Sequence, residues 1–238
     1  MAVLTPPRQR DNRTPGSGRL VDLIHGLKAA DVKANLARVL ERIAEAGREP
    51  QEVQILAAVK YLPEADLDEL LAGGISLAGE NRAQDLAEKA AKHPEFTWDF
   101  IGQLQSRKVA LVLPLVRYIH SLASDSALAQ LGKHGNADTR VLIEVNVAAE
   151  EAKAGIAPDE LGDFIARCPV QVVGLMTMPP YANEPEQNRR HFARLAELAA
   201  EHDLTELSMG TSQDYGVAVE EGATIIRLGS TLFAATGA

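Results

Sequence analysis

The segment Gln54-Ile55-Leu56-Ala57-Ala58-Val59-Lys60 determines how the rest of the chain is interpreted. Five consecutive apolar residues between polar ones are typical of a strand that is buried on both faces, as in a parallel sheet. Lys60 closes this strand, and Pro63 disfavours helix at the residue before it, so the lysine is predicted near the carboxyl end. Ligands bind at that end of parallel α/β folds, where a partly desolvated amine can form a Schiff base with an aldehyde. On this segment alone the alternative stays open, namely a lysine whose amine simply extends into water.

Strand and helix signals alternate from this segment to the end of the chain. The predicted strands cover residues 55–59, 75–78, 97–101, 117–120, 141–147, 170–176, 206–208 and 223–228. The predicted helices between them cover residues 64–71, 82–91, 105–113, 125–132, 158–166, 184–201 and 213–221. This alternation in a chain of this length favours an α/β fold of the (β/α)8 type, a TIM barrel built as a single domain. A doubly wound sheet would place a glycine-rich turn after the first strand, where this chain has Tyr61-Leu62-Pro63.

The segment before the first strand divides into two parts. Residues 1–18 are rich in Pro, Arg, Thr, Gly and Ser without periodicity, which predicts a disordered tail. Residues 27–46 carry apolar side chains at helical spacing, including Val39 and Ile43, and predict an extra N-terminal helix. The barrel domain is therefore expected to cover residues 19–238, with this helix packed outside the repeating pattern.

The bulk composition limits the compartment and the partners. The 238 residues are 46% apolar and carry a net charge of −9, which argues against nucleic acid and acidic membranes as partners. No apolar run approaches the ~20 residues of a membrane span, and no signal peptide is evident. A single cysteine, Cys168, excludes an internal disulfide and fits a reducing cytoplasm. We therefore expect a cytoplasmic protein, and the lack of a second domain favours a monomer.

Two loops near the end of the chain have the pattern of a phosphate site. Ser208-Met209-Gly210-Thr211-Ser212 follows the seventh predicted strand, and Gly229-Ser230-Thr231 follows the eighth. Both are short and rich in hydroxyl groups and glycine, and the first opens a helix, so its amides can face an anion. (β/α)8 barrels frequently bind phosphate at these two loops. An ordinary cap at Ser212 and a turn glycine at Gly229 are the favoured interpretation of either loop alone, but not of both together.

Arg227 is a cation within an otherwise apolar eighth strand. It is expected to point into the barrel mouth or to form an ion pair with an acidic residue such as Glu144. A guanidinium that faces a pyridine nitrogen keeps that nitrogen unprotonated, because arginine stays cationic. Met176 follows the sixth strand and either contacts a bound ring or simply packs. A Schiff-base lysine on the first strand and a phosphate site at the last two together indicate pyridoxal 5′-phosphate (PLP).

Eight stretches occur along the chain in an order that is specific, although each is a weak signal alone. They are Ala57-Ala58-Val59-Lys60, Gly79-Glu80-Asn81-Arg82-Ala83-Gln84, Phe100-Ile101-Gly102-Gln103-Leu104-Gln105, Ile119-His120-Ser121, Val145-Asn146-Val147, Gly174-Leu175-Met176, Ser208-Met209-Gly210-Thr211-Ser212 and Arg227-Leu228-Gly229-Ser230. As an ordered set they resemble the pyridoxal phosphate homeostasis protein family (YggS/PROSC). Members of that family are single-domain barrels similar to the N-terminal domain of alanine racemase.

The resemblance implies a role for nine residues, none of them catalytic. Lys60 would form the Schiff base with PLP, and Arg227 would face the pyridine nitrogen. The phosphate would be held by Ser208, Gly210, Ser212, Gly229 and Ser230. The ring would be lined by Asn81 and Met176. The implied function is to keep vitamin B6 vitamers in balance, with PLP and PLP-dependent apoenzymes as partners.

The chain also departs from the family pattern at several positions. Val59 and Tyr61 replace polar residues beside the lysine, Asp99 replaces a common His, Arg107 replaces the usual Asn, and Thr211 stands where Met is common. The lysine and the phosphate residues are retained, so PLP binding is still expected. Asp99 and Arg107 are expected to alter a surface or loop interaction.

Two other functions compete with a PLP carrier. An amino-acid racemase needs a second acid–base group on the opposite ring face, which related racemases take from a separate domain. The tyrosines of this chain are Tyr61, Tyr118, Tyr181 and Tyr215. Tyr215, just after the phosphate loop, is the candidate to test. A phosphate-ester enzyme without PLP would need a carboxylate pair or a metal ion, and the scattered histidines predict no metal site. They are His25, His93, His120, His134, His191 and His202.

Overall fold

Eight parallel strands close into a barrel in which neighbours in the chain are neighbours in the sheet, and β1 pairs with β8. The structure is a computed structural model that describes residues 26–150 and 154–236, so the predicted tail at residues 1–18 lies outside it. The strands are β1 Gln54–Ala58, β2 Leu77–Glu80, β3 Thr97–Phe100, β4 Tyr118–Leu122, β5 Arg140–Glu144, β6 Gln171–Met176, β7 Glu206–Thr211 and β8 Ile225–Leu228. The predicted (β/α)8 barrel is confirmed.

Helices cover the outside of the barrel and connect the strands. Within the described residues the α-helices are α1 Ala29–Glu45, α2 Leu67–Ala72, α3 Ala83–Lys92, α4 Val109–Val112, α5 Asp125–His134, α6 Leu161–Arg167, α7 Arg189–Glu201, α8 Tyr215–Glu220 and α9 Ser230–Phe233. Several begin with a short 3-10 turn, for example Glu64–Asp66 before α2. No helix in the described ranges combines the length and apolarity that crossing a bilayer requires.

Helix α1 precedes the first strand but packs against the barrel beside the last helices. It contacts α2, α8 and α9 and buries Val32, Val39 and Ile43. The amide nitrogen of Asn35 donates to the carbonyl oxygens of Leu232 (3.0 Å) and Ala234 (2.7 Å). Since α9 spans only four residues, α1 supplies the cover that a full-length eighth helix would give. The predicted extra helix therefore completes the outer layer.

The end of β7 differs from its prediction in a way that affects the site. The strand was expected to stop at Ser208, but it continues to Thr211. Three steps along β7 from Ser208 to Thr211 match two steps along β8, from Ile225 to Arg227. The extra residue is a bulge that includes Gly210, whose φ is +91° and whose missing Cβ would lie 2.6 Å from the Ala218 Cβ. Gly210, which the sequence pattern assigned to a loop, is therefore part of the strand.

The barrel interior is unusually polar for a core. Trp98 and Phe100 face the helices, whereas Asp99 between them faces inward and contacts His120. Asp99 and His120 have no exposed area. The expectation that Asp99 alters a surface interaction is therefore wrong, because strand alternation turns its carboxylate into the barrel. Arg107, by contrast, is exposed and donates from Nε to the Gln105 side chain at 3.1 Å.

Candidate functional site

A cavity of about 270 Å³ opens at the carboxyl ends of the strands. It is lined by Ala58, Lys60, Tyr61, Asn81, Ile101, Met178, Thr211, Ser212, Gln213, Arg227, Gly229, Ser230 and Phe233. These residues come from the ends of β1, β2, β3, β6, β7 and β8, which the closed barrel brings to one rim. Six of the nine sequence-predicted residues are therefore assembled around one space: Lys60, Asn81, Ser212, Arg227, Gly229 and Ser230.

Lys60 lies two residues beyond β1, with its amine at the cavity mouth. The side chain is exposed, and Nζ is 4.9 Å from the centroid of the Tyr61 ring. This distance is within the range of a cation–π contact. Tyr61 lines the same cavity and is 48% exposed, so the amine and the ring together form one wall of the opening.

A buried ion pair holds the loops that carry Lys60 and Asn81. Lys89 of α3 donates to Glu80 Oε2 at 2.6 Å and to the Val59 carbonyl oxygen at 2.8 Å. The other carboxylate oxygen of Glu80 accepts the Asn81 amide N–H at 2.7 Å. Glu80 has no exposed area. The pair thus fixes the residue before Lys60 and the backbone of Asn81 relative to each other, as a supporting layer does for a ligand site.

Asn81 brings an unsatisfied oxygen to the cavity. Its Oδ1 is buried and has no hydrogen-bond partner among the described residues. The backbone of Asn81 is held against β3 at a contact that needs a glycine, since a Cβ on Gly102 would lie 2.0 Å from the Asn81 carbonyl oxygen. Buried polar atoms are normally paired, so an orphaned acceptor facing a cavity indicates a missing donor from a ligand or water.

The loops after β7 and β8 form a cradle of amides. Ser212 Oγ accepts the N–H groups of Gly229 and Thr231, each at 3.2 Å. Both distances are at the long end for such bonds, so this hydroxyl satisfies the amides weakly. Outside its chain neighbours, a Cβ built on Gly229 would meet no atom closer than the Ala58 carbonyl oxygen at 3.8 Å, so there is open space beside its Cα. Adjacent amides of this kind at the start of a helix suit an anion.

Arg227 reaches the cavity from the barrel interior. Its Nη1 donates to the Ser208 carbonyl oxygen (2.8 Å) and to Ser208 Oγ (2.6 Å), and its Nη2 donates to the Thr177 carbonyl oxygen (2.9 Å). Burial lowers the pKa of Arg227 to about 10, against the opposing fields of Glu144 and Asp214. The guanidinium is therefore protonated at neutral pH and held in one orientation.

Three predicted residues do not line the cavity: Met176, Ser208 and Gly210. In the register of the sheet Met176 lies beside Ser208, and Ser208 lies beside Ile225. Ile225 is two residues before Arg227 on β8, so Met176 and Ser208 lie one layer deeper in the barrel than Arg227. The Ser208 hydroxyl is bound to His120 and Arg227 inside the barrel, and the assignment of this side chain to a phosphate is corrected on that ground. Gly210 lies in the β7 bulge.

Their places at the cavity are taken by Met178 and Thr211. Met178 is two residues beyond Met176 on the same side of the chain, and the bulge brings Thr211 level with Arg227. The sequence pointed to Met178 as well as to Met176, because both methionines follow the sixth predicted strand at a spacing that turns them to the same side of the chain. The sequence contains no pattern that reveals the bulge, so it could not show that Thr211, rather than one of its neighbours, lies level with Arg227.

Tyr215, the candidate second acid–base group, does not line the cavity. Burial raises the pKa of its phenol, and the charges that act on it are Arg42 and Glu45 of α1 on the outer surface. Of the described tyrosines, Tyr61 is the one that lines the cavity.

One group of described residues could hold a metal ion, with ligand atoms of Asp68, His93 and Glu95 within 4.8 Å of one another. None of the three lines the cavity, and the carboxylates of Asp68 and Glu95 pair with His93 Nδ1 at 3.5 and 3.2 Å.

The fold and the site define the class: a (β/α)8 barrel protein that presents a lysine amine, an amide cradle and a buried arginine at one cavity. The chain matches the sequence model of the family described as alanine racemase, N-terminal domain, over residues 28–237. A pyridoxal phosphate homeostasis protein of Aquifex aeolicus is 42% identical over 217 residues, which cover 83% of this chain and 95% of that protein. The chain therefore belongs to the alanine racemase N-terminal domain family and, within it, to the pyridoxal phosphate homeostasis proteins.

Solved structures agree with this assignment. PipY of Synechococcus elongatus PCC7942, solved with PLP bound, is 32% identical, covers 85% of this chain and 99% of its own, and has a TM-score of 0.71. A protein of Bifidobacterium adolescentis described as unknown is 30% identical, with coverage of 86% and 95% and a TM-score of 0.77. Alanine racemase from Corynebacterium glutamicum is 16% identical, with coverage of 87% and 61% and a TM-score of 0.69, and it shares the barrel fold.

Proposed function

We propose that this protein binds PLP in the strand-end cavity and contributes to intracellular vitamin B6 homeostasis. The observation that carries the proposal is the convergence of Lys60, the Ser212–Gly229 cradle and Arg227 on a single cavity. These are the groups required for an aldehyde, a phosphate and a pyridine nitrogen, respectively. The relative that is 42% identical is named for PLP homeostasis, and PipY was solved with PLP, which supports the same ligand here.

The residues present fit this cofactor. Lys60 supplies an accessible amine at the cavity mouth and would hold the cofactor through its aldehyde group, with water as the leaving group. The amides of Gly229 and Thr231, with the Ser230 hydroxyl, would hold the phosphate after the Ser212 hydroxyl gives way. The orphaned Asn81 Oδ1 offers an acceptor beside the ring. Met178, rather than Met176, is the sulfur side chain placed to contact it.

Arg227 has a defined effect on any pyridine nitrogen it faces. Because its guanidinium is a donor only and stays protonated at neutral pH, that nitrogen must accept and cannot carry a proton. An unprotonated ring is a weak electron sink, which disfavours carbanion chemistry. Together with the position of Tyr215 on the outer surface, this supports a carrier or regulator over a racemase. Delivery of the cofactor to PLP-dependent apoenzymes is part of the proposal.

The deciding experiment compares the wild type with Lys60→Ala and with Lys133→Ala, a control that removes an exposed lysine of α5. Each protein is incubated with PLP, reduced with borohydride and digested for mass spectrometry. We expect the wild type and Lys133→Ala to carry a reduced pyridoxyl group on Lys60, and Lys60→Ala to carry none at the site. Modification spread over several surface lysines, or none in the wild type, would reject the assignment.

The same samples separate the rival functions. Each protein is offered a panel of L-amino acids, and the appearance of D-enantiomers is followed by chiral chromatography. Turnover by the wild type that disappears in Lys60→Ala would establish the racemase-like alternative. PLP bound at Lys60 without turnover supports the carrier role, and a transfer assay with a PLP-dependent apoenzyme then measures delivery.

A further inference from the structure

A line of hydrogen bonds crosses the barrel interior and ends at Arg227. It runs through Arg117, Asp99, His120, Ser208 and Arg227. The successive distances are 2.6 Å from Arg117 Nη2 to Asp99 Oδ2, 3.1 Å from His120 Nε2 to Asp99 Oδ2, 2.8 Å from His120 Nδ1 to Ser208 Oγ and 2.6 Å from Arg227 Nη1 to Ser208 Oγ. Asp99, His120 and Ser208 have no exposed area, and Arg227 is 4% exposed. Such a buried polar line is stable only if every member has a partner.

The direction of each bond follows from the ends of the line. Arg227 can only donate, so Ser208 Oγ accepts from it. At the other end, Asp99 is ionised: burial alone would raise its pKa, but the bonds from His120 and Arg117 outweigh burial and lower it. An ionised Asp99 must accept from His120 Nε2. The Nδ1 atom of a neutral His120 is then an acceptor, and the remaining donor for it is the Ser208 hydroxyl.

His120 is neutral in this arrangement. Burial lowers its pKa, against the raising effect of Asp99, and the positive charges of Arg227 and Arg117 lower it further. A protonated ring would donate to Ser208 from Nδ1 as well, and the serine oxygen would then face donors on two sides. The neutral Nε2–H tautomer is the form that satisfies all four contacts at once.

We propose that Asp99 is a positioning residue for Arg227: by fixing the His120 tautomer, it turns the Ser208 hydroxyl so that a lone pair receives the guanidinium facing the cavity. The proposal rests on the proposed function only in taking that cavity as the PLP site. It also gives a role to Asp99, a departure from the pattern of the family that the chain resembles.

An amide in place of the Asp99 carboxylate cannot substitute for it. Oδ1 accepts from Arg117 Nε and from the Tyr118 N–H, each at 3.1 Å, and Oδ2 accepts from Arg117 Nη2 and His120 Nε2. An –NH2 group at either position therefore faces two donors. Placed toward His120, it forces the ring proton to Nδ1. Ser208 Oγ must then accept from two donors, and its own proton loses its acceptor.

The first test reads the tautomer in the protein without any cofactor. Protein labelled with 15N-histidine is examined by long-range 1H–15N correlation NMR at neutral pH, with His120 identified by loss of its signals in His120→Gln. We expect protonated Nε2 and unprotonated Nδ1 in the wild type, and a reversed or mixed tautomer in Asp99→Asn. A wild-type His120 that is protonated on Nδ1 would overturn the proposal without any variant.

The second test follows Arg227 itself through hydrogen exchange of its guanidinium protons. Asp99→Asn should accelerate that exchange, because the Ser208 hydroxyl no longer holds the guanidinium in one orientation. Ser208→Ala is a smaller change that guards against misfolding of the first variant. It should accelerate Arg227 exchange and leave the His120 tautomer unchanged. Unaltered exchange in Ser208→Ala would refute the claim that the line of hydrogen bonds holds Arg227.

The third test connects the line to the ligand. The dissociation constant for PLP is measured for the wild type, for Asp99→Asn and for the control Asp125→Asn, which alters an exposed aspartate paired with Arg167 at 2.6 Å. We expect Asp99→Asn to weaken binding by roughly tenfold and Asp125→Asn to have no effect. Equal binding by all three would refute the positioning role. Failure of the wild type to bind PLP would instead reject the proposed function. The first two tests would still show whether Asp99 positions Arg227 through the line of hydrogen bonds.

Discussion

Two lysines of α3 show at the scale of single residues how burial changes an ion pair. Lys89 and Glu80 have side chains 11% and 0% exposed, whereas Lys92 and Glu64 are 59% and 41% exposed. The nitrogen–oxygen distances are similar, at 2.6 and 2.7 Å. Solvent screens the outer pair, while the inner pair holds the backbone next to Lys60 and Asn81. The two pairs therefore have different consequences for the site.

We predict that Lys89→Met lowers the free energy of unfolding by about 3–5 kcal/mol, because it leaves the Glu80 carboxylate buried without its cation. The variant should also bind PLP more weakly, since Val59 and Asn81 lose their common anchor. Lys92→Met, on the same helix, should leave both quantities near the wild-type values. Urea unfolding and a PLP titration of the two variants give the comparison. Equal losses in both would contradict the burial argument.

At the scale of elements, α1 joins the start of the described chain to its end. Its buried Asn35 donates to two carbonyl oxygens, those of Leu232 and Ala234. These lie in and just after α9, whose first residue, Ser230, lines the cavity. The extra helix thus supports the side of the cavity formed by the loop after β8, although it contributes no residue to the cavity lining.

Asn35→Ala is expected to lower the free energy of unfolding by about 1–3 kcal/mol, because two carbonyls lose their donor. The orphaned Asn35 Oδ1 disappears with the substitution, which offsets part of this loss. Arg38→Ala, an exposed change on the same helix, serves as the control. Urea unfolding measures the stability, and amide hydrogen exchange should show faster opening of Leu232 and Phe233 in Asn35→Ala alone. Unchanged exchange there would mean that α1 does not hold α9.

The order of elements was predictable from the sequence, and the depth of side chains in the barrel was not. Apolar runs such as 141–147 locate a strand, but they do not mark the residue at which it leaves the sheet. In β7 the strand continues through a one-residue bulge that includes Gly210, so it ends at Thr211 rather than at Ser208. That shift buries Ser208, and Met176 is buried at the same level. The site residues beyond the strand ends were unaffected, as Lys60 and Ser212 illustrate.

At the scale of the whole molecule, the charged line inside the barrel makes stability depend on pH. Burial lowers the pKa of His120 below its ordinary value of 6.5, so the unfolded chain takes up a proton there that the folded chain does not. Stability should therefore fall as the pH drops below 6.5. Asp99 acts at lower pH: its pKa is lowered, so its contribution is present above its ordinary value of 3.8 and is lost as the pH falls through the lowered value.

We predict that the wild type loses stability as the pH falls below the ordinary histidine pKa of 6.5, with His120 contributing at most about 1.4 kcal/mol per pH unit. His120→Gln should flatten this dependence, because glutamine does not titrate. His134→Gln, which changes an exposed histidine, should leave the slope as it is in the wild type. Urea unfolding at several pH values measures all three. A slope in His120→Gln as steep as in the wild type would assign the effect to other groups.

The Ser212 hydroxyl over the amides of Gly229 and Thr231 has a consequence for how quickly a ligand comes and goes. A phosphate oxygen that enters the cradle gains two amide bonds only by breaking the two that Ser212 already makes. On departure the hydroxyl returns, so the emptied protein is not left with bare donors. The bonds that Ser212 makes stabilise the empty state, so the net free energy gained when phosphate binds is smaller than two new hydrogen bonds would give. We therefore expect this loop to release a bound phosphate group readily rather than to retain it permanently.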